Sequence, residues 1–422
     1  MGLIRDRVAV LGQGYVGLPV ALRAVHAGYD VVGFEIDEDR VEGLNRAVSH
    51  VEDISGEELR AALDTGRYRA TTDAADLAGF DVAVVSVPTP MGDGIPDLSF
   101  IESAACTLAP HVTSGSTVIL ESTTYPGTTE ELVGPILEEG SGLTMGRDFH
   151  LGYSPERIDP GNPTWRLENT PKVVSGVDEA SLKAVQGFFD RLVERTVPVS
   201  GTREAELTKL LENTFRHVNI ALVNELAMFA RDLGIDVWEA IDAASTKPFG
   251  YMRFTPGPGV GGHCLPIDPS YLSWRVERSL GQTFRFVELA NDVNQHMPDY
   301  VVRRVQALLN DHCKAVKGSS ILVYGLAYKA NTSDARESPS RPIAEQLLAL
   351  GAVVSMVDPH VPAHQFPAGV HRCDNGDADL EAADLILYLV DHDDFDREGI
   401  VASGTPVLDC RRALRGDSVQ HL

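Results

Sequence analysis

The chain has 422 residues, 43% of them apolar and 23% charged, the balance of a folded globular protein of two to three domains rather than a disordered one. Its 61 acidic side chains outnumber 36 Lys and Arg, and the net charge of −25 disfavours a nucleic-acid partner. Any phosphate-bearing ligand must therefore find the few cations, or helix N-termini, gathered at one place.

In chain order, short β-rich runs at residues 8–11, 31–34, 82–87, 117–121 and 172–175 alternate with stretches of helical spacing such as 18–26 and 41–47. That alternation predicts parallel strands with right-handed helical crossovers, a doubly wound α/β sheet. The first run reads as a buried strand rather than a secretory leader, and no apolar run is long enough to span a membrane. From Glu204 the pattern changes. Leu207, Leu210, Leu211, Thr214, Val218, Leu222, Leu226 and Phe229 recur at three- and four-residue steps, which predicts one long helix that stops near Gly234. A helix of that length has to bury its apolar stripe, and a second subunit is a natural partner. Residues 247–269, rich in Gly and Pro, read as a structured loop. The β/α rhythm then resumes with runs at 321–324, 353–357 and 385–389, predicting a second, smaller α/β domain.

The first run leads directly into Gly12-Gln13-Gly14-Tyr15-Val16-Gly17 and a helix. Three glycines at that spacing permit a tight turn, close approach of backbone to a pyrophosphate, and close helix–strand packing. The second run ends at Glu35, about 20 residues on, where a carboxylate accepts hydrogen bonds from a ribose. No Arg directly follows it to hold a 2′-phosphate, so NAD is expected rather than NADP. Val87-Pro88-Thr89-Pro90 and Glu121-Ser122-Thr123-Thr124 put hydroxyls at the predicted carboxyl edge of the sheet, where ligands of such folds sit; polar turns are the plainer reading of each. The cofactor set is then Gly12, Gly14, Tyr15, Val16, Gly17, Glu35, Thr89 and Thr123.

Gly261-Gly262-His263-Cys264-Leu265-Pro266-Ile267-Asp268-Pro269 is the most unusual segment. Pro266 suits the first turn of a helix, whose positive end would favour a thiolate at Cys264. The flanking glycines leave room for a substrate, and Asp268 is close enough in sequence to hold a water or accept a proton. Free cysteines are also commonly small buried hydrophobes, and the residues alone leave both readings open. On the long helix, Lys209, Asn213 and His217 fall four apart with Asn224 near the same azimuth. A solvated polar face is the default account of such a stripe.

Together the motifs at 12–17, 121–127, Ser154-Pro155-Glu156-Arg157, 207–213, 256–271 and 325–339 resemble the UDP-glucose/GDP-mannose dehydrogenase family, over nearly the whole chain from Val8 to about Arg412. The resemblance implies two Rossmann-like doubly wound domains joined by a long central helix and a helical dimerisation region. It implies an NAD-binding domain over 1–200, a central dimerisation domain with the cysteine loop over 201–315, and a nucleotide-sugar-binding domain over 316–422. It further implies a cytoplasmic homodimer of polysaccharide biosynthesis, with no nucleic-acid and no membrane partner. Such an enzyme uses two NAD to oxidise the C6 hydroxyl of a nucleotide sugar to a carboxylate, through a thiohemiacetal and a thioester.

By resemblance Cys264 is the nucleophile, and Lys209 and Asn213 stabilise the oxyanion. Asp268, Thr123 and Glu156 position water and serve as acid and base. Arg40 and Arg336 join the cofactor residues. Glu156, Arg157, Lys209, Asn213, Arg253, Gly262, Lys329 and Arg411, or its neighbour Arg412, hold the substrate. Pro160 stands where UDP-glucose enzymes often carry a second Glu, with Asp159 beside it. The form of residues 154–162 and 256–259 resembles the branch acting on UDP-N-acetylhexosamines. UDP-N-acetylglucosamine is therefore the first substrate expected, ahead of UDP-N-acetylmannosamine, UDP-glucose and dTDP-glucose.

Two other readings compete. A two-electron hydroxy-acid dehydrogenase shares the glycine motif and the long helix but gives Cys264 and a third domain no task. A non-catalytic NAD-binding regulator would be indifferent to Cys264→Ser. The five cysteines, Cys106, Cys264, Cys313, Cys373 and Cys410, are scattered and odd in number, which fits a reducing cytoplasm better than a disulfide framework. No metal is expected: Pro359, Pro362 and Pro367 break any helix that would align His360 with His364, and His371 and Cys373 read as loop residues. Asp391-His392-Asp393-Asp394 reads as a hydrated turn, and Trp165, Trp238 and Trp274 as core or interface.

Overall fold

Alternating Val-rich runs and amphipathic helices produce two parallel sheets. The computed structural model describes residues 6–92, 94–159, 162, 164–262, 265, 267–374 and 380–422. The chain divides into two units, 1–212 with 274–281 and 213–273 with 282–422.

The first unit is built on β1 (Arg7–Leu11), β2 (Asp30–Phe34), β3 (Tyr68–Thr71), β4 (Val82–Val85), β5 (Thr117–Leu120) and β6 (His150–Tyr153). They lie side by side as β3-β2-β1-β4-β5-β6, every pair parallel. Chain order reverses between β1 and β4, the point at which doubly wound sheets open a crevice outside their carboxyl ends. The central strands are apolar on both faces because both faces are covered. Val8 and Val10 pack with Leu18, Leu22 and Val25, whereas Ala9 and Leu11 pack with Ile101, Leu108 and Leu120. Helices begin at side-chain caps: Asp37, Ser55 and Asp178 accept from the backbone N–H of Arg40, Glu58 and Ser181. The run expected at 172–175 does not extend the main sheet. As β7 (Lys172–Val174) it pairs in parallel with β8 (Thr196–Pro198) in a separate two-stranded sheet.

The second unit holds β9 (Ser320–Tyr324), β10 (Val353–Val357), β11 (His371–Cys373), β12 (Leu385–Tyr388), β13 (Val407–Asp409) and β14 (Val419–His421). Their order, β11-β10-β9-β12-β13-β14, repeats the topology of the first sheet, again all parallel. The long helix Thr202–Asp232 contains the division between Glu212 and Asn213 and ends, as expected, at Gly234 with φ +70°. No helix among the described residues is long and apolar enough to cross a membrane.

Candidate active site

β1 hands the chain to Gly12, whose φ of +87° and N–H bond to Phe34 O (2.9 Å) make the turn. A Cβ there would lie 2.6 Å from Ser86 O. Around Gly14, by contrast, nothing stands within 4 Å of a Cβ position, so the floor above the helix start is open. Gly17 opens the helix Gly17–His26, and a Cβ on it would collide with Gly12 O and Ser86 Oγ. Val16 is that helix's N-cap and Tyr15 is 40% exposed beside it. Glu35 follows β2 and is nearly buried; Gln13 N–H donates to its Oε2 (3.1 Å), and Ile36 N–H (2.9 Å) and Asp37 N–H (3.3 Å) donate to Oε1. Arg40 reaches only to 3.9 Å of that carboxylate and is half exposed, a weak pair. Thr89 and Thr123 are half-buried in the loops after β4 and β5. An open floor, a helix N-terminus and a pinned carboxylate at a switch point are the parts a dinucleotide needs, and these residues fit NAD.

The same unit brings Glu156 and Lys209 together, with two residues that the sequence reading did not single out. Lys209 Nζ donates to the backbone oxygen of Glu156 at 2.6 Å. The Glu156 carboxylate accepts from Arg157 N–H (2.7 Å), from Ile158 N–H, and from Lys172 Nζ at 3.2 Å. Lys172 also donates to Glu121, directly after β5. Burial would push Glu156 up, but the Lys172 cation, the Ile158 N–H and the Lys209 cation overcome it and leave the carboxyl below its ordinary value. Burial lifts Glu121 to about 7 against the pull of Lys172. Arg157, expected at the substrate, is committed to Glu212 (2.7 Å) and to Pro171 O (2.5 Å).

In the second unit Asn213 Nδ2 donates to Asp268 Oδ2 at 2.6 Å, joining two more of the expected residues; both are buried. The polar stripe of the long helix is not a solvated face. His217 Nε2 meets Asn291 Oδ1 at 2.8 Å, and burial lowers its pKa. Asn224 donates to Asn294 Oδ1 (2.9 Å) and accepts the N–H of Gly257 (2.9 Å), which fixes the Gly/Pro loop to the helix. Arg411 donates to Leu389 O (2.6 Å), and its guanidinium would stand 3.0 Å from a Cβ on Gly257. Gly262 has φ +86°, and a Cβ on it would lie 2.8 Å from the Tyr328 ring, so that position excludes side chains. Cys264, with His263 and Pro266, lies outside the described residues.

Arg336 lines a cavity of about 650 Å³ with His217, Asn291, Asn294 and Pro339, its fork held by Asp334 at 2.9 and 3.0 Å. Lys329 is half-buried in the same 325–339 segment. Arg253 is paired with Asp242 (2.8 Å), which Arg412 also reaches (2.7 Å). One further reading is corrected. His392 is fully buried, its Nε2 3.1 Å from Asp358 and its Nδ1 accepting Asn331 N–H (2.9 Å), so it departs from the hydrated turn expected over 391–394, which holds at the exposed Asp393 and Asp394. His360 faces Asp394 at 3.0 Å, and among the described residues no cluster of three metal-ligating side chains occurs.

Comparison with known proteins accords with this geometry. Models of the UDP-glucose/GDP-mannose dehydrogenase family match residues 6–221 (NAD binding domain), 203–296 (central domain) and 322–416 (UDP binding domain). The chain is 36% identical to UDP-N-acetyl-D-mannosamine dehydrogenase of Pyrococcus horikoshii, over 92% of this chain and 90% of that protein. A solved structure of the UDP-D-ManNAc dehydrogenase of that organism superposes with a TM-score of 0.88 at 34% identity, covering 98% of each chain. It is 34% identical to NDP-N-acetyl-D-galactosaminuronic acid dehydrogenase of Ralstonia solanacearum, over 92% of this chain and 91% of that protein. With its paired parallel sheets, its glycine cradle for NAD and all three parts matched in order, the chain belongs to the UDP-glucose/GDP-mannose dehydrogenase family, the NAD-dependent oxidoreductases of nucleotide sugars.

Proposed function

We propose that the chain oxidises the C6 hydroxyl of a UDP-N-acetylhexosamine to a carboxylate, holding the half-oxidised sugar on Cys264 between two hydride transfers. One observation carries the reading. Lys209 and Asn213, one turn apart on a helix, are buried and bonded to two of the three expected acid–base residues, Lys209 to the Glu156 backbone and Asn213 to the Asp268 carboxylate. A solvated face would show neither. When bound, NAD accepts the hydride in each step. Asp268, fixed by Asn213, takes the proton of the sugar hydroxyl. The Cys264 thiolate adds to the aldehyde carbon, and the Lys209 ammonium and Asn213 amide steady the oxygen that becomes an anion. After the second hydride leaves, Glu156 with Thr123 holds the water that cleaves the thioester and receives its proton. Overall one alcohol and one water yield one carboxylate, two hydrides and three protons.

The cations expected at phosphates, Arg336, Lys329 and Arg411, fall in the part matched by the UDP binding model, apart from the family's NAD-binding part. We infer a division into regions 1–200, 201–315 and 316–422, which the three matched parts in that order support. Relatives named for N-acetylmannosamine put that epimer ahead of the N-acetylglucosamine expected from the loop motifs. The long helix supports a homodimer. Leu207, Leu211, Phe215, Leu222, Leu226 and Phe229 form one apolar stripe, each more than 40% exposed in the single chain. The free thiols Cys106, Cys313, Cys373 and Cys410 suit a reducing cytoplasm.

The test is a panel of UDP-sugars assayed for NADH and for uronate, with wild type and Cys264→Ser. The account expects a UDP-N-acetylhexosamine to be preferred over UDP-glucose by roughly 100-fold or more in kcat/KM, and uronate to be absent with the variant. Undiminished uronate from Cys264→Ser removes the covalent step.

A further inference from the structure

The first unit carries a buried charge cluster that the reaction above uses only in part. Glu121 directly follows β5, Glu156 comes three residues after β6, and Lys172 opens β7, so three strand ends deliver two carboxylates and one ammonium to one point. The side chains of Lys172, Glu121 and Glu156 are 3%, 0% and 9% exposed. Lys172 Nζ bridges Glu121 Oε1 and Glu156 Oε2, and the Phe189 ring lies 5.2 Å from it on a further side. The two carboxylates are not equivalent. Glu156 accepts two backbone N–H bonds besides the ammonium, and Lys209 sits on its carbonyl oxygen. Glu121 has the ammonium and the facing Glu156 carboxyl but no backbone N–H, and its Oε2 has no hydrogen-bond partner among the described residues. Away from water, one shared cation cannot hold two full carboxylate charges at low cost, so the less solvated one gives way and keeps a proton.

We propose that Lys172 and Glu121 are positioning residues for Glu156: Lys172 holds its carboxylate ionised and oriented, and Glu121 takes up the proton that Glu156 would otherwise carry. The inference deepens the proposed function and rests on the role given there to Glu156. Its consequence is an acid limb of the rate set by a charge balance rather than by Glu156 alone. Without the cation, Glu156 would protonate at neutral pH and no longer accept the proton of the hydrolytic water. Without the Glu156 charge facing it, Glu121 would release its proton at lower pH.

The test titrates the Glu side-chain carbons by 13C NMR in the full chain, with resonances assigned from Glu156→Gln and Glu121→Gln, alongside pH profiles of NADH formation. In Lys172→Met the Glu156 midpoint is expected to rise by about 1–3 pH units, with the acid limb of kcat moving up beside it. In Glu121→Gln the Glu156 midpoint is expected to stay low, because the amide matches the neutral carboxyl it replaces, whereas in Glu156→Gln the Glu121 midpoint is expected to fall once the facing charge is gone; Lys172→Arg should keep the wild-type Glu156 midpoint. Should Lys172→Met fail to fold, Glu156→Gln decides alone through the Glu121 midpoint, because it replaces the ionised carboxylate by a neutral group of the same shape. A Glu156 midpoint that stays at its wild-type value in folded Lys172→Met, or a Glu121 midpoint that stays at its wild-type value in Glu156→Gln, overturns the proposal. If the midpoints shift as expected while Glu156→Gln still makes uronate at the wild-type rate, the cluster stands and the catalytic role of Glu156 falls.

Discussion

Glu206 grips the loop after β5 with both carboxylate oxygens. Oε2 accepts the N–H of Gly127 at 2.6 Å, while Oε1 accepts the N–H and hydroxyl of Thr129 at 2.9 and 2.7 Å. Burial nonetheless pushes its pKa up to about 7 from 4.5. Between those values the folded chain holds a proton that the unfolded chain has released, so this group's stabilising contribution is full below about pH 4.5 and is lost as pH rises through 7. The slope it adds is at most about 1.4 kcal/mol per pH unit. Thermal unfolding followed across pH 5 to 7.5 should show a flatter fall in Glu206→Gln than in wild type, even though the amide leaves one backbone N–H without its acceptor; equal slopes would count against the shift. A second residue-level test concerns the cradle. Gly17→Ala sets a methyl against Gly12 O and Ser86 Oγ, so calorimetric NAD affinity should drop by roughly tenfold or more with the fold retained; unchanged affinity would place the cofactor elsewhere.

At this scale legibility followed sequence distance. Gly12, Gly14, Gly17 and Glu35 carry a local signature because turn, helix start and strand end are neighbours in the chain. Lys172 and Glu206 carry none. Lys172 finds its partners 51 and 16 residues away, and Glu206 reaches back 77 and 79, through contacts that no periodicity encodes.

The long helix shows what periodicity does encode, and what it confuses. Its apolar stripe was plain, and so was its end at Gly234. The polar stripe of Lys209, Asn213, His217 and Asn224 looked like a wet surface, whereas it is buried and saturated by Glu156, Asp268, Asn291 and Asn294. A helix with polar residues inside and Leu and Phe outside has reversed the usual arrangement, which is economical only if something apolar covers the outside. Leu226→Asp should therefore convert a dimer to a monomer in light scattering; a variant that keeps the mass of two chains would place the interface on another face. Among strands, the Val-rich central ones were legible. Short edges such as Tyr68–Thr71, His371–Cys373 and Val419–His421 were not, because three or four mixed residues give no period-two pattern.

The whole molecule carries a net charge of −25 and yet belongs to a family whose substrates are nucleotide sugars. On the proposed reading that conflict is resolved by phosphate sites at a helix N-terminus in one sheet domain and at isolated Arg and Lys residues in the other, rather than on a basic surface. The two sheets have identical strand order, and on the proposed reading one topology serves two nucleotides, with the sulfur chemistry in the segment between them in sequence. The measurement that tests this account most directly is the yield of NADH per molecule of nucleotide sugar consumed, taken to completion with UDP-N-acetylmannosamine under limiting sugar. The account predicts two, with the uronate as the product; a yield of one, with an aldehyde or ketone released, contradicts it.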